Sequence, residues 1–165
     1  MHKHLPSSDR LVAISLLVPS SLALLLAVIL QYGFHYYPCT LCIYERWPYF
    51  ISMIIAIGLL LMENGNRFLI YFAVASLFLG TLITLYHIGI EKHIFTMAEN
   101  CATTYHDTLD IANLYEQIAT NEIVRCDNPQ KLLGIRLTYL NLLYSLGSAL
   151  LVIFACIKNE SRSAN

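Results

Sequence analysis

The sequence predicts an all-α integral membrane protein, a four-helix bundle with two polar, cysteine-containing loops on one side. Of its 165 residues, 57% are hydrophobic and only 13% are charged, which is too apolar for an ordinary soluble domain. Four apolar stretches, separated by polar segments, have lengths that suit the ~30 Å hydrocarbon core of a bilayer. The net charge is −1 and no basic block occurs, so the composition indicates lipid surroundings and no nucleic-acid partner.

The first span is predicted at about residues 11–31 and the second at about 43–62. The first carries no charge, exceeds the apolar region of a signal peptide and has no A-x-A-like cleavage site after it, which favours a membrane span. In the second, only Trp47 to Met62 is uncharged, so its first turn is expected at the interface, where Arg46 can reach water. Pro48 removes a backbone hydrogen bond and predicts an irregular helix there.

The third span is predicted at about residues 68–88 and the fourth at about 132–157. A short polar turn at 63–67 joins spans two and three into an antiparallel hairpin. The remaining connections are a short loop at about 32–42 and a long one at about 89–131. Within the long loop, apolar residues at helical spacing predict a short amphipathic helix, either flat on the membrane or solvated: Ile111, Leu114, Tyr115 and Ile118.

Counting the spans places both loops on the same side of the membrane. Cys39 and Cys42 therefore share a compartment with Cys101 and Cys126, whereas Cys156 lies at the opposite face. The Lys and Arg counts of the two sides tie, so charge does not orient the chain. Cysteines that pair by proximity favour an oxidising compartment, which places both termini in the cytoplasm. At rest we expect Cys39–Cys42 and Cys101–Cys126 disulfides and a reduced Cys156.

Cys39 and Cys42 form a C-x-x-C pair where the short loop enters the second span. This spacing allows a disulfide across one tight turn and is typical of dithiols that cycle between oxidation states. If the helix begins near Cys42, its N-terminal partial charge would stabilise a thiolate there. Cys42 is therefore the expected low-pKa sulfur.

Simpler interpretations of the cysteines remain open. Cys39 and Cys42 could form a static disulfide, and Cys101 and Cys126 could staple the long loop. A zinc site would need ligands from both pairs, and we expect no metal. Two pairs on one side favour thiol–disulfide exchange between them, which passes oxidising equivalents from one pair to the other.

Three polar residues near the pair are further candidates. Arg46, one helical turn after Cys42, is suited to hold a ligand that becomes anionic on reduction, such as a quinone oxygen. His87 and Glu91 lie one turn apart at the end of the third span, on the same side of the membrane. They form either a hydrated helix end or a polar patch that lines the same pocket and handles protons.

The stretch from Pro38 to Arg46 reads Pro-Cys-Thr-Leu-Cys-Ile-Tyr-Glu-Arg and resembles the Pro-Cys-x-x-Cys-x-Tyr-Glu-Arg signature of the DsbB family, the bacterial disulfide-bond formation proteins. The resemblance covers nearly the whole chain and includes Tyr86 to Glu91, Arg125 to Asp127 and the Leu133-Gly134 stretch. It implies a multi-pass enzyme of the bacterial inner membrane with periplasmic redox loops. Such an enzyme reoxidises a soluble DsbA-like thiol oxidase and passes two electrons to ubiquinone or menaquinone.

The resemblance also implies roles for individual residues. Cys39 and Cys42 would be the quinone-proximal pair, with the Cys42 thiolate against the quinone ring and Arg46 on a quinone oxygen. Cys101 would form the mixed disulfide with the DsbA-like partner, and Cys126 would pair with Cys39 in an inter-loop disulfide.

His87 falls close to a quinone-site histidine of the family. Glu91, from its position one turn after His87, is expected at the same cofactor site. Two other functions are compatible with the sequence. One is a membrane thiol redox enzyme with a dedicated substrate, or one that runs reductively as vitamin K epoxide reductase does. The other is a non-enzymatic membrane protein with disulfide-stapled loops.

Overall fold

A computed structural model of the protein describes five segments of the chain: residues 7–62, 67–96, 101–104, 123–128 and 130–163. The amphipathic helix predicted around Ile111 to Ile118 lies outside them. So do residues 63–66 of the predicted polar turn.

Four long helices make up most of the described chain. Each is long and apolar enough to cross a membrane, which confirms the predicted all-α membrane fold with four spans. We number them α1 (Ser7–Val28), α2 (Thr40–Leu61), α3 (Arg67–Glu91) and α4 (Leu137–Ser163).

The fourth helix begins later than the predicted start near residue 132. Two short antiparallel strands, β3 (Lys131–Leu132) and β4 (Ile135–Arg136), come before it. The chain reverses between them through Leu133 and Gly134, both at positive φ (52° and 84°), a conformation that glycine adopts readily. Residues 132–136, which hydropathy assigns to the fourth span, therefore belong to a β-hairpin that precedes the helix.

Helix α2 continues through Pro48 without a break, so the irregularity predicted there is not observed. Neighbouring groups accommodate the proline. Gly80 of α3 leaves room for its ring, because a Cβ at Gly80 would lie 2.9 Å from Pro48 Cγ. The Ser76 hydroxyl donates to the Pro48 carbonyl at 3.5 Å. Pro48 thus marks a close α2–α3 contact.

The bundle is closed in a square: α1 and α3 each pack against both α2 and α4. Small residues such as Ala13, Ala56 and Ala73 are fully buried between the helices, which permits close approach of the backbones in a membrane bundle. Large apolar side chains point outward where lipid is expected, including Leu25, Phe72, Phe78, Leu150 and Phe154.

The polar connections meet at one end of the bundle. Strands β1 (Ala102–Thr104) and β2 (Ile123–Arg125) pair antiparallel. Their pairing joins two parts of the long loop that are distant in sequence. Gln130 Nε2 donates to the Tyr37 carbonyl at 2.8 Å, and the Tyr36 hydroxyl donates to the Lys131 carbonyl at 3.3 Å. These bonds fasten the long loop to the short loop that carries Cys39.

Candidate redox site

The C-x-x-C pair sits on the first turn of α2. The helix begins at Thr40, and Cys39 is its N-cap residue, whose Sγ accepts the backbone N–H of Cys42 at 3.4 Å. Cys39 and Cys42 are thiols with their Sγ atoms 3.0 Å apart. About 1 Å of approach separates them from disulfide bonding distance. The geometry therefore suits a pair that opens and closes with little movement.

The expectation that Cys42 is the low-pKa sulfur is wrong for this dithiol state. The helix begins two residues earlier than assumed, so Cys39 caps it and receives the helix N–H. The pKa of Cys39 lies well below the ordinary value of a thiol, chiefly because the Cys42 thiol donates a hydrogen bond to it and also because His87 lies beside it; burial opposes both effects. The helix cap and the neighbouring imidazole therefore favour Cys39 as the thiolate of the reduced pair.

His87 connects Cys39 to a buried carboxylate. Its Nε2 lies 3.6 Å from Cys39 Sγ and its Nδ1 lies 2.8 Å from Glu45 Oε1. A carboxylate only accepts hydrogen bonds, so Nδ1 donates to Glu45 and Nε2 faces the sulfur. His87 and Glu45 are both buried, with 2% and 6% exposure. The structure thus places His87 at the redox pair rather than at a hydrated helix end.

Glu91 extends this arrangement toward the loop side. Its Oε1 lies 3.9 Å from His87 Nε2, one helical turn away. Its Oε2 accepts from the Thr138 hydroxyl at 3.0 Å and lies 3.7 Å from Arg136 Nη1. Glu91 is 5% exposed and Arg136 is about a third exposed. A path of polar groups therefore runs from the redox pair to the bundle surface.

Asn141 of α4 holds Glu45 from the other side. Its Nδ2 donates to Glu45 Oε2 at 2.6 Å and lies 3.2 Å from Thr84 Oγ1, while its Oδ1 accepts from the Tyr49 hydroxyl at 3.3 Å. One amide thereby ties α4 to α2 and α3 beneath the redox pair. A buried carboxylate is costly unless its oxygens accept hydrogen bonds, and His87 and Asn141 supply one to each oxygen of Glu45.

The sequence prediction did not nominate Glu45 or Asn141. Glu45 had a signal, because it follows Cys42 by three residues and so shares its helix face. Asn141 had one too, since α4 carries a stripe of polar residues at steps of three and four. The stripe is Thr138, Asn141, Ser145 and Ser148.

Arg46 lies on the α1 side of the site. Its Nη1 donates to Gln31 Oε1 at 2.7 Å, and Gln31 belongs to a π-helical turn at Ile29–Gly33 that extends α1. π-Helical turns occur often at functional sites. Among the residues that the structure describes, no carboxylate lies within 4.0 Å of the Arg46 guanidinium. Its charge is therefore available to a ligand.

A cavity of about 370 Å³ opens between the four helices, with α3 contributing at the end that holds the cysteines. Its volume is in the range of small-molecule sites, which are mostly apolar with few polar groups. Apolar residues of α1 and of the short loop supply much of its wall, and the predicted site residues form its polar end. These residues are Cys39, Cys42, Arg46, His87 and Glu91.

The second cysteine pair lies next to the first. Cys101 and Cys126 form a disulfide, and the Cys126 N–H donates to the Cys101 carbonyl at 3.1 Å. Both sulfur residues are buried, with 5% and 1% exposure, in one apolar cluster with Cys39, Ile90 and Val124. The fold thus brings the four cysteines together at one end of the bundle, as the span count predicted.

Of the two disulfides expected from the sequence, the structure contains one. The expected Cys101–Cys126 disulfide is present. The expected Cys39–Cys42 bond is not present here: both residues are free cysteines, with their Sγ atoms 3.0 Å apart. Cys156 is a free cysteine, in line with the expected reduced state, and it packs, partly buried, against the apolar core of the bundle.

The sulfurs do not form a four-cysteine metal site, since Cys101 and Cys126 are bonded to each other. Within the described part of the chain, a different donor group is present. Cys39, Cys42 and His87 place their ligand atoms within 4.8 Å of one another.

Comparison with known proteins agrees with this geometry. The family model of the disulfide bond formation protein DsbB matches residues 9–155, which include α2, α3, most of α1 and α4, and the four clustered cysteines. The chain belongs to the DsbB family. Membership makes it a membrane thiol oxidoreductase of disulfide formation. The chain is also similar to an uncharacterized protein of Rickettsia prowazekii (strain Madrid E), at 30% identity over 134 residues that cover 79% of this chain and 78% of that protein. No solved structure matches it.

Proposed function

We propose that this DsbB-family protein reoxidises a DsbA-like periplasmic dithiol oxidase and passes the two electrons to a membrane quinone, ubiquinone or menaquinone. One observation carries the proposal. The reduced Cys39–Cys42 pair lies between a buried disulfide on one side and a cavity in the bundle wall on the other. A dithiol in that position connects an exchange partner in the loops to an acceptor dissolved in lipid.

The electrons balance over three steps. The dithiol of the partner exchanges with Cys101–Cys126, which leaves the partner oxidised and this pair reduced. The reduced pair then exchanges with Cys39–Cys42, which re-forms Cys101–Cys126 and yields the Cys39 and Cys42 thiols. Oxidation of these thiols to a disulfide releases two electrons and two protons, and the quinone takes up both to become a hydroquinone. The scheme requires a Cys101–Cys126 disulfide and unbonded Cys39 and Cys42 before this last step, and that is the cysteine pattern of the fold.

The cavity supports the assignment of the last step. Its polar end offers the Arg46 guanidinium for a quinone oxygen, whose negative charge grows on reduction. Cys42 and Cys39 line the same end, and His87 with Glu91 offers groups that can move the two protons. The Cys42 sulfur would meet the quinone ring, and the Cys39 thiolate would close the disulfide onto Cys42.

The assignment of Cys101 as the sulfur attacked by the partner rests on the family resemblance and needs a local movement. Cys101 is 5% exposed and Cys126 is 1% exposed, so a partner thiolate reaches neither in this state. Opening of the short β1–β2 pairing would expose Cys101 while Cys126 remains beside Cys39. This order matches the proposed flow of electrons.

The proposed orientation puts the clustered cysteines in the periplasm and both termini in the cytoplasm. Disulfides persist in oxidising compartments, and the end of the bundle that carries the cysteines holds the Cys101–Cys126 bond. Cys156 lies within α4, nearer its other end, and so toward the cytoplasmic side by this orientation.

The decisive experiment uses the purified protein in detergent, a reduced DsbA-like substrate and a soluble quinone analogue. We expect quinone absorbance to fall in step with the loss of partner thiols, one quinone for each partner disulfide. A Cys42→Ser variant provides the inactive control. Net reduction of the partner by hydroquinone would favour a reductive enzyme instead. No turnover in either direction, with folded protein, would favour stapled loops.

A further inference from the structure

We propose that the reduced redox pair and His87 form a site for a thiophilic divalent cation such as Zn²⁺, and that oxidation of the pair abolishes it. The three ligand atoms are Cys39 Sγ, Cys42 Sγ and His87 Nε2, all within 4.8 Å of one another. Two cysteines and one histidine with an open fourth position are a known zinc ligand set.

The distances fit a tetrahedral ion with small adjustments. Typical bonds of about 2.3 Å to sulfur and 2.0–2.1 Å to nitrogen place ligand atoms about 3.8 Å (S to S) and 3.6 Å (S to N) apart. The Cys39 Sγ to His87 Nε2 distance is 3.6 Å. The two sulfurs, at 3.0 Å, would have to separate slightly, which a rotation of the partly exposed Cys42 side chain can provide.

The surroundings of His87 strengthen the case. Metal-bound histidines usually donate their other ring N–H to a carboxylate, which fixes the ring and raises its basicity. Glu45 accepts from His87 Nδ1 at 2.8 Å and is itself held by Asn141. Nε2 is therefore the nitrogen that faces the sulfurs. This arrangement distinguishes the site from an ordinary C-x-x-C dithiol, which offers only sulfur.

The local charge also favours a cation. Before metal binding, one thiolate, Glu45 and Glu91 supply negative charge; Arg136 lies 3.7 Å from Glu91 on the side away from the sulfurs, and the Arg46 guanidinium is directed to Gln31. All three ligand residues line the cavity, so an ion has access and its fourth position can hold water. Binding would release the Cys42 thiol proton and any proton on His87 Nε2 to the buffer, because both ligand atoms must be deprotonated.

A bound ion would hold the pair reduced and block its oxidation. This consequence rests on the proposed function, whereas the binding itself requires only the dithiol. A binding test therefore separates the two. If the protein binds the ion but does not reduce quinone, the proposed function fails and the site stands.

The test uses Co²⁺ as a spectroscopic substitute for Zn²⁺ and a full-length Cys101→Ser/Cys126→Ser/Cys156→Ser protein in detergent, which keeps only the proposed sulfur ligands. After reduction and desalting we expect one Co²⁺ per chain, with thiolate charge-transfer bands and the visible bands of tetrahedral Co²⁺. The same protein oxidised with diamide should show neither. Equal thiolate-to-cobalt bands in both forms would overturn the proposal.

Two variants test the histidine in this background. His87→Gln should weaken Co²⁺ binding by at least tenfold, whereas His35→Gln, an exposed histidine outside the site, should leave it unchanged. Glu45→Gln should weaken it about 10- to 100-fold through His87. Helical circular dichroism checks that each variant is folded. Folded His87→Gln and Glu45→Gln proteins that bind Co²⁺ as tightly as their parent would overturn the site.

Discussion

At the scale of single residues, the two sulfurs of the C-x-x-C pair differ although one helical turn separates them. Cys39 caps the helix and faces His87, and it is 4% exposed. Cys42 lies inside the first turn and lines the cavity. The helix cap and His87 therefore favour charge on the more buried sulfur, which belongs to the cluster of the second disulfide. Both sulfurs line the cavity, so the pair has contact with the second disulfide and with the proposed quinone site.

The low pKa of Cys39 leads to a pH prediction. Thiolate absorbance at 240 nm, taken as the difference between the reduced protein and its Cys39→Ser variant, should persist at neutral pH and disappear only in acid. An ordinary thiol loses its charge below about pH 8.5. His87→Gln should move the midpoint upward, because it removes one group that favours the thiolate. Thiolate absorbance that appears only above pH 8 in the unmodified protein would contradict the assignment.

The lowered pKa of Cys39 also makes the stability of the reduced protein depend on pH. Because the folded state lowers the pKa of Cys39, its thiolate contributes to the free energy of unfolding fully above the ordinary thiol pKa. That contribution is lost as the pH falls through the lowered value.

Arg46 leads to a kinetic prediction. Its removal should cost a charge-assisted hydrogen bond that strengthens as the quinone is reduced, on the order of 1.5–3 kcal/mol, or roughly 10- to 150-fold in kcat/KM for quinone. Arg46→Lys should lose less of the kcat/KM for quinone than Arg46→Met, because lysine keeps the positive charge although it lacks the planar guanidinium. Steady-state assays with varied quinone provide the measurement.

A single-turnover exchange between the reduced partner and Cys101–Cys126 is the control, and it should be nearly unchanged in both Arg46 variants. Gln31→Ala, which removes only the amide that holds Arg46, should have a smaller effect. Normal quinone kinetics with slowed partner exchange in Arg46→Met would make Arg46 a loop anchor.

At the scale of helices, the contact between α2 and α3 rests on the match of Pro48 to Gly80. A proline in a helix interior normally bends or breaks the helix. Here the absence of a side chain at Gly80 lets α3 approach the proline ring, and both Glu45 and His87 lie toward the site end of these helices. The close packing of α2 on α3 therefore sets the distance between the carboxylate and the imidazole.

Gly80→Ala is expected to destabilise the protein, because its Cβ would lie 2.9–3.0 Å from a rigid proline ring. Overpacking of this kind costs about 1–3 kcal/mol. Gly58→Ala is the matched control in α2, since a Cβ there meets nothing within 4 Å. Thermal unfolding in detergent should show a lower midpoint for Gly80→Ala alone. Equal midpoints for the two variants would show that the bundle adjusts at Pro48.

The helices were predictable from the sequence, but their ends were not. Hydropathy locates a span because lipid excludes charge over its length, and it gives no sign of where a cap or hairpin begins. Leu132 and Leu133 are apolar yet belong to the β3–β4 hairpin. The start of α2 at Thr40 could not be read from residue spacing either. Because the helix begins there, Cys39 and not Cys42 is placed to be stabilised as the thiolate. Asn141 was missed because its bonds span three helices that are distant in sequence.

At the scale of the whole molecule, the bundle separates two kinds of cysteine. Four of them meet at one end, where hydrogen bonds from Gln130 and Tyr36 fasten the long loop to the short one. Cys156 is partly buried and packs against the core of the helices. Exchange between the pairs therefore needs rearrangement of the loops, whereas exchange with Cys156 would need the bundle to unfold.

This separation predicts which cysteines can bond. In a Cys42→Ser/Cys101→Ser/Cys156→Ser protein, the remaining Cys39 and Cys126 share one apolar cluster and should form an inter-loop disulfide under mild oxidation. In a Cys42→Ser/Cys101→Ser/Cys126→Ser protein, Cys39 and Cys156 should remain thiols within the monomer, because they belong to different clusters. Mass spectrometry of the unreduced, alkylated and digested proteins distinguishes the linked peptides. If Cys39 and Cys126 stayed reduced while the control behaved as expected, the loops would not exchange electrons directly, and the partner would have to reach Cys39 itself.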